Sequence, residues 1–307
     1  MPIDPKILID LCLDQIIPEE VNGRRNGVTN DPEWERAYQP CSEAYPDPSA
    51  KKGAVEKIAD WAGSSIYPGT TRNIWVYIPD QSFMNGPAQV IIFNDGAWYL
   101  SRSGPVRATH VLDTLHHQQE ILPTVGIFIT PGIPDHNVQG PIASYGNVEA
   151  QRSLEYDLMT NSYGRFIFSE ILPEVASRFG LTFSTDPKHR TLCGISSGGI
   201  AAFNAAWHFP DQCQRVLSHC GSYTDIWGGH NFPSLIRKTP RKLIRTYLQS
   251  GKHDANTPFG NWKLANETMA SAFEYAGYDY TFELGEGGHS LNHGGALFAN
   301  SLRWLWR

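Results

Sequence analysis

Apolar positions in this chain come in short bursts separated by turn-forming residues. From about residue 49 onward, β-branched and aromatic runs recur at Ile58–Tyr67, Ile74–Ile78, Val90–Phe93, Val125–Ile129, Thr191–Ile195, Arg215–His219, Ile244–Leu248 and Tyr280–Leu284. Runs of this length bounded by Gly, Pro, Asn and Asp predict strands. Between several of them the period lengthens to that of a helix, at Arg165–Phe179, Gly198–Trp207 and Trp262–Ala276. Strands that alternate with helices require crossover connections, so the pattern predicts an α/β fold with a mostly parallel central sheet and helices on both faces. The first two runs differ, being joined by Pro68-Gly69-Thr70, which predicts an antiparallel start. The order of the strands across the sheet is not contained in the pattern.

Residues 1–48 lack this alternation. Asn22-Gly23-Arg24-Arg25-Asn26-Gly27 and Tyr45-Pro46-Asp47-Pro48 are turn-rich and polar, and one short amphipathic helix is expected near Ile7–Ile17. This stretch reads as an N-terminal extension packed on the core, with residues 49–307 forming the main domain. No internal repeat or low-complexity tract interrupts the chain.

Composition narrows the class. With 307 residues, 41% of them hydrophobic and 18% charged, the chain can bury a substantial core and is not disordered. Its net charge of −6 makes nucleic acid an unfavourable partner. There is no apolar run long enough to span a bilayer, which argues against a membrane partner. The N-terminus lacks a basic segment followed by an apolar one, so no signal peptide is expected. The 5 cysteines are sparse and without metal-site spacing, which favours a reducing compartment over a disulfide scaffold. Cytoplasmic placement follows as the expectation, and a homo-oligomer is compatible with all of this.

The chemistry enters at Gly194-Ile195-Ser196-Ser197-Gly198-Gly199. This G-x-S-x-G match follows the apolar run Thr191-Leu192-Cys193 and opens the helix-period run Ile200–Trp207. Strand, sharp turn and helix are the context that lifts a serine hydroxyl clear of a sheet. Gly194 and Gly198 leave room for the helix to pass close to the strand. Ser196 is therefore the candidate nucleophile. With the antiparallel start, this is the layout of an α/β-hydrolase fold.

A serine hydroxyl needs a base, and in this fold the order is Ser, acid, His. His208 ends the elbow helix and points away, and His219 lies within a strand. His289 sits in Gly285-Glu286-Gly287-Gly288-His289-Ser290 just beyond the last strand and is the candidate base, with His293 as runner-up. Their spacing carries no glutamate between them, so zinc is not expected and no metal or cofactor is assigned. The orienting acid should follow an intervening strand. Asp254, at the exit of Ile244–Leu248, fits first, Asp225 second and Glu286 third. Asn94-Asp95-Gly96-Ala97-Trp98 follows an early strand and can offer the N–H of Ala97 or Trp98 to an oxyanion. The N–H of Ser197, at the helix N-terminus, would supply the other donor. Trp98, Tyr99 and Trp227 are candidates to line a substrate-binding surface, or equally to pack the core.

At this point the chain resembles the esterase D and enterochelin-esterase-like family of α/β-hydrolases, from about Tyr45 to the C-terminus. The resemblance rests on ordered segments. These are Tyr67-Pro68-Gly69-Thr70-Thr71-Arg72 leading into Trp75–Pro79, Phe93-Asn94-Asp95-Gly96 and Arg152-Ser153-Leu154-Glu155-Tyr156-Asp157. The elbow follows, then Leu217–Tyr223, Gly285–His289 and Leu302–Trp306. It implies a serine carboxylic-ester hydrolase that needs no metal or cofactor. It also implies Ser196, Asp254 and His289 in the triad positions, and Arg152 with Glu155 as a structural pair near the site. Members of the family often read Asp-Gly where this chain has Ser250-Gly251, and Asn where it has His253.

Three function classes follow. The first is a serine esterase or lactonase acting on a small-molecule ester through an acyl-enzyme. The second is an acyltransferase using the same chemistry. The third is a non-catalytic binding protein on a hydrolase scaffold, which would be expected to have lost its serine or histidine; both are present here. The same fold hosts siderophore, feruloyl and acetylxylan esterases, so fold alone does not name the substrate.

Overall fold

The computed structural model describes residues 31–134 and 148–307, together with Glu20–Val21 and Arg24–Arg25. The helix expected near Ile7–Ile17 lies outside the described residues. Eight strands build the central sheet: β1 Ala54–Trp61, β2 Thr70–Ile78, β3 Gln89–Asn94, β4 Thr124–Ile129, β5 Arg190–Ile195, β6 Arg215–His219, β7 Arg245–Gly251 and β8 Asp279–Gly285. A two-residue strand, Ile133–Pro134, pairs with β2 at one corner. The order across the sheet is β8-β7-β6-β5-β3-β4-β2-β1. β2 runs antiparallel to both β1 and β4, and every other pairing along this order is parallel. The antiparallel start and parallel remainder are as the pattern predicts, and this is an α/β-hydrolase sheet.

The central strands are buried on both faces, which is why they read as continuous apolar runs. Successive side chains of β3 enter opposite cores: Val90 and Ile92 join one cluster, Ile91 and Phe93 the other. The helices α1 (Ala108–His117) and α7 (Asn292–Trp306) cover one face through Val111, Leu112, Leu115, Phe298 and Leu302. The opposite face carries the helical run Ser162–Phe179, whose last segment is α3 (Leu172–Phe179), with α4 (Ser197–His208), α5 (Phe232–Lys238) and α6 (Trp262–Tyr275). Phe203 of α4, Phe232 of α5 and Phe273 of α6 meet there edge to face.

One boundary differs from the expectation. The first strand is Ala54–Trp61, not Ile58–Tyr67. Beyond Trp61 the backbone turns away because Glu170 captures it: Ser65 N–H and Ile66 N–H donate to Oε1 at 2.9 and 3.2 Å. N–H groups committed to a carboxylate cannot serve a strand ladder. The true strand is mostly polar, with only Ile58 buried, as suits the sheet edge.

Candidate active site

The elbow is built from close backbone approach. Ser196 has φ 58° and ψ −124°, a conformation that costs energy for a residue with a side chain. It is held there by its neighbours: Ser196 N–H donates to His219 C=O at 2.9 Å, and Ser222 N–H donates to Ser196 C=O at 3.1 Å. Gly194 is required by space, since a Cβ there would lie 2.3 Å from the carbonyl carbon and oxygen of Gly198. Asn94 Nδ2 ties the same carbonyl to the end of β3 at 2.7 Å.

His289 and Asp254 come together as the chain order suggests. His289 Nδ1 lies 2.6 Å from Asp254 Oδ1. The acid is fixed further by Ser250 Oγ, which donates to Oδ2 at 2.5 Å, and by Ala255 N–H, which donates to Oδ1 at 2.8 Å. Ser250 thus serves the acid directly. The two loops are laced together. Lys252 N–H donates to Gly285 C=O at 2.7 Å and His253 N–H to Gly287 C=O at 3.1 Å. A Cβ at Gly251 would fall 1.9 Å from Gly287 O, so that glycine permits the lacing.

The alternatives stand elsewhere. Asp225 is exposed and pairs with His230 at 2.9 Å. Glu286 pairs with Lys252 at the rim. The His293 ring stacks on Tyr38 with centroids 4.4 Å apart, and its Nδ1 lies 3.2 Å from Gln249 Nε2. Its burial makes protonation harder, an effect that Glu35 partly offsets. His219 is fully buried, with Nδ1 2.9 Å from the Tyr99 hydroxyl, and burial pushes its pKa down to about 3.

On the donor side, Ala97 lies in the short helix Gly96–Leu100 after β3, and Ser197 opens α4. Of the two N–H groups considered in that turn, that of Trp98 is already taken by Asp95 C=O at 3.0 Å. Asp95, at φ 52°, is gripped by Arg152 through two bonds of 2.9 and 2.8 Å. A Cβ at Gly96 would press within 2.5 Å of the β4 backbone, so the loop sits hard on the sheet.

Two expectations need correction. Arg152 and Glu155 do not pair with each other. Both lie on α2 (Val148–Tyr156), but Arg152 reaches the Asp95 loop while Glu155 binds Arg72 at 2.7 and 2.9 Å, with the Arg72 and Glu155 side chains fully buried. A buried guanidinium needs a bidentate carboxylate, and Glu155 is the one packed against β2. Tyr99 does not line the site surface. It is fully buried, its ring packs on Phe93 and its hydroxyl meets His219. Trp98 beside it is 54% exposed, because neighbouring helical residues face different sides. Trp227 is half-buried, and its indole N–H donates to Ser153 Oγ at 3.1 Å. Ser153 in turn donates to Asp157 at 2.7 Å. Burial pushes Asp157 up to about 6.

Four neighbours went unread in the sequence. Ser222 Oγ lies 3.1 Å from Ser196 Oγ. Trp262 donates its indole N–H to Ser222 Oγ at 3.1 Å and sets its ring edge-on to His289, centroids 5.9 Å apart. Cys220, at φ 45°, is buried beneath the acid. Its sulfur lies with donor atoms of Asp254 and His289 inside 4.8 Å, the metal-ligand types grouped this closely among the described residues. The Asp254–His289 bond occupies two of those donor atoms. Glu35, which accepts from Gly288 N–H at 2.7 Å, is the fourth. A serine after a strand and a tryptophan opening a helix carry no local signal of such roles.

The sheet order and the strand–turn–helix elbow define an α/β-hydrolase. Residues 65–305 match the protein family described as "Putative esterase", and the chain belongs to that family. Among curated proteins it is 24% identical over 238 residues to the iron(III) enterobactin esterase of Escherichia coli O6:H1, covering 76% of this chain and 52% of that protein. The chain spans only about a third to a half of the length of the curated relatives it matches. The crystal structure of the enterobactin esterase from Shigella flexneri in the presence of enterobactin superimposes with a TM-score of 0.64 at 19% identity, covering 87% of this chain and 60% of that one. A feruloyl esterase module from Clostridium thermocellum, an S954A mutant complexed with sinapinate, gives 0.58 at 14% identity, covering 92% and 96%. At such identity the structural likeness speaks to the fold. No described helix is long and apolar enough to cross a membrane.

Proposed function

We propose that this protein is a serine esterase that hydrolyses a small-molecule carboxylic ester or lactone through an acyl-enzyme, with Ser196 as nucleophile, His289 as base and Asp254 as the acid that orients it. The observation that carries this reading is the 2.6 Å bond between Asp254 Oδ1 and His289 Nδ1, on loops that leave the same end of the sheet as the elbow. That bond holds the imidazole in the tautomer whose other nitrogen can accept the Ser196 proton, and it stabilises the imidazolium once formed. The serine oxygen then adds to the ester carbonyl. The N–H groups of Ser197 and Ala97 receive the developing oxyanion. Collapse expels the alcohol, protonated by His289. Water, activated by the same histidine, releases the acid and restores the serine.

For substrate class we propose an ester with an aromatic acyl group. The relatives named for enterobactin and feruloyl esters motivate this, and the exposed Trp98 and half-buried Trp227 supply aromatic surface. Residues 49–307 form the catalytic unit in this reading, with the preceding residues as its extension. The cysteines Cys41, Cys193, Cys213 and Cys220 are all free, which supports a reducing, cytoplasmic setting.

The test is labelling with a fluorophosphonate probe beside hydrolysis of a panel of aryl, sugar and lactone esters. Wild type should form one adduct, at Ser196, and cleave aryl-acyl esters fastest. An adduct of equal yield in Ser196→Ala, or no adduct in active wild type, would overturn the reading.

A further inference from the structure

We infer that the short segment Trp34–Tyr38 is a positioning strap for the base, in which Glu35 and Tyr38 hold the backbone that carries His289. This deepens the function proposed above and rests on it. The loop Gly285-Glu286-Gly287-Gly288-His289 has three glycines in its four residues before the histidine. Such a stretch has little conformational preference of its own, and ordering it costs entropy. It must be held from outside.

Two surfaces hold it. Its carbonyls are taken by the acid loop, through the Lys252 and His253 N–H groups. Its N–H groups are taken by the strap. Glu286 N–H donates to Tyr38 Oη at 2.7 Å, and Gly288 N–H donates to Glu35 Oε1 at 2.7 Å, one residue before His289. Packing follows the same line. A Cβ at Gly285 would lie 2.3 Å from Tyr38 Oη, and one at Gly287 would lie 3.2 Å from Glu35 Oε1. The strap also reaches the acid loop, where Trp34 stacks on His253 with centroids 4.4 Å apart and planes within 9°. Tyr38 stacks on His293 at the start of the following helix. One segment therefore touches both loops that bring His289 and Asp254 together.

Glu35 is held there at a cost. Its Oε2 is buried with no hydrogen-bond partner among the described residues. A buried carboxylate oxygen left unpaired is costly, so its retention calls for a compensating role. The titratable groups that face the His289 loop are Asp254 and Cys220 from beneath, His293 from α7, Glu35 from the strap, and Lys252 with Glu286 at the rim. Of these, Glu35 is the carboxylate bonded to the backbone adjoining the histidine.

The experiment compares Glu35→Ala, Glu35→Gln and Tyr38→Phe in the full chain, with thermal melting, kcat and KM on an aryl ester. Glu35→Ala should lower kcat by ~10–100-fold with KM nearly unchanged, as expected when a base is misplaced by a fraction of its working distance. Glu35→Gln keeps an acceptor for Gly288 N–H, so kcat should recover towards wild type. Tyr38→Phe keeps the ring on His293 and loses the Glu286 bond, so kcat should fall several-fold with KM nearly unchanged. A purely structural role would lower the melting temperature and leave kcat per folded enzyme at the wild-type value in every variant, and that result overturns the inference. Should Glu35→Ala fail to fold, a wild-type kcat in Tyr38→Phe is decisive against it. If Ser196→Ala stays active, the triad reading falls. If Ser196→Ala is dead and the strap variants match wild type, the strap alone is refuted.

Discussion

The two halves of the candidate site are held by different physics. The nucleophile half is local. Within six residues, Gly194 lets α4 pass against β5 and Ser196 takes a positive φ, and the turn is further supported by backbone bonds with His219 and Ser222 and by the Asn94 side chain. The histidine half is assembled from segments far apart in the chain: 34–38, 250–254 and 285–289. One half stores strain in a rigid turn, while the other depends on a glycine-rich loop pinned by hydrogen bonds to distant partners. Steric exclusion makes the first hard to alter by any substitution with a side chain. The second should tolerate conservative changes and fail when a single acceptor is lost.

The largest expected effect treats the halves as one machine. Ser196→Ala and His289→Ala should each lower kcat by about 10⁴-fold or more, and the double variant should be little worse than either. Multiplying losses in purified protein would show that the two residues do not share a step. EDTA should leave the activity unchanged, since no metal takes part in the proposed chemistry.

Next is the acid. Asp254→Asn should preserve the fold but favour the wrong tautomer, lowering kcat by about 10³–10⁴-fold with KM little changed. Asp225→Asn should stay near wild type because its carboxylate is exposed and pairs with His230. A dead Asp225→Asn beside an active Asp254→Asn would move the acid to the earlier loop.

The glycines compare the halves through stability. Gly194→Ala places a Cβ 2.3 Å from backbone that cannot yield, and should cost about 3 kcal/mol or more. Gly287→Ala meets the tip of Glu35 at 3.2 Å, a flexible contact, and should cost about 1 kcal/mol. Chemical denaturation checks both. Equal losses would mean that the elbow is not the more rigid half.

The smallest effect concerns His219, whose carbonyl holds Ser196 N–H while its ring is sealed in the core. Burial lowers its pKa to about 3, and that of His116 to about 4, from an ordinary 6.5. The unfolded chain therefore binds more protons below pH 6.5, so stability falls as pH drops from there towards 4 and 3. Asp157, raised by burial to about 6, works in the opposite sense between its ordinary 3.8 and that value. His219→Gln should lose less stability than wild type between pH 7 and pH 4 in melting experiments, and identical slopes would remove His219 as a cause.

Strand periods, the elbow around Ser196, and Asp254 and His289 as candidates just beyond their strands were readable from residues a few positions apart. Alternation of side chains, glycine at a close approach and turn chemistry act over that range, and the reading from them places the strands within a few residues apart from β1. Partner choice was not readable. Nothing local tells that Arg152 takes Asp95 while Glu155 takes Arg72, that Tyr99 turns inward beside an exposed Trp98, or that Glu170 ends β1 early. Nor could the turn-rich extension disclose that Glu35 and Tyr38 cap the N–H groups of the histidine loop. A periodic pattern states which face of an element is buried. Which charge, ring or hydroxyl meets it there depends on how elements distant in the chain pack together, and that is fixed by shape and by the demand that each buried polar group find a partner.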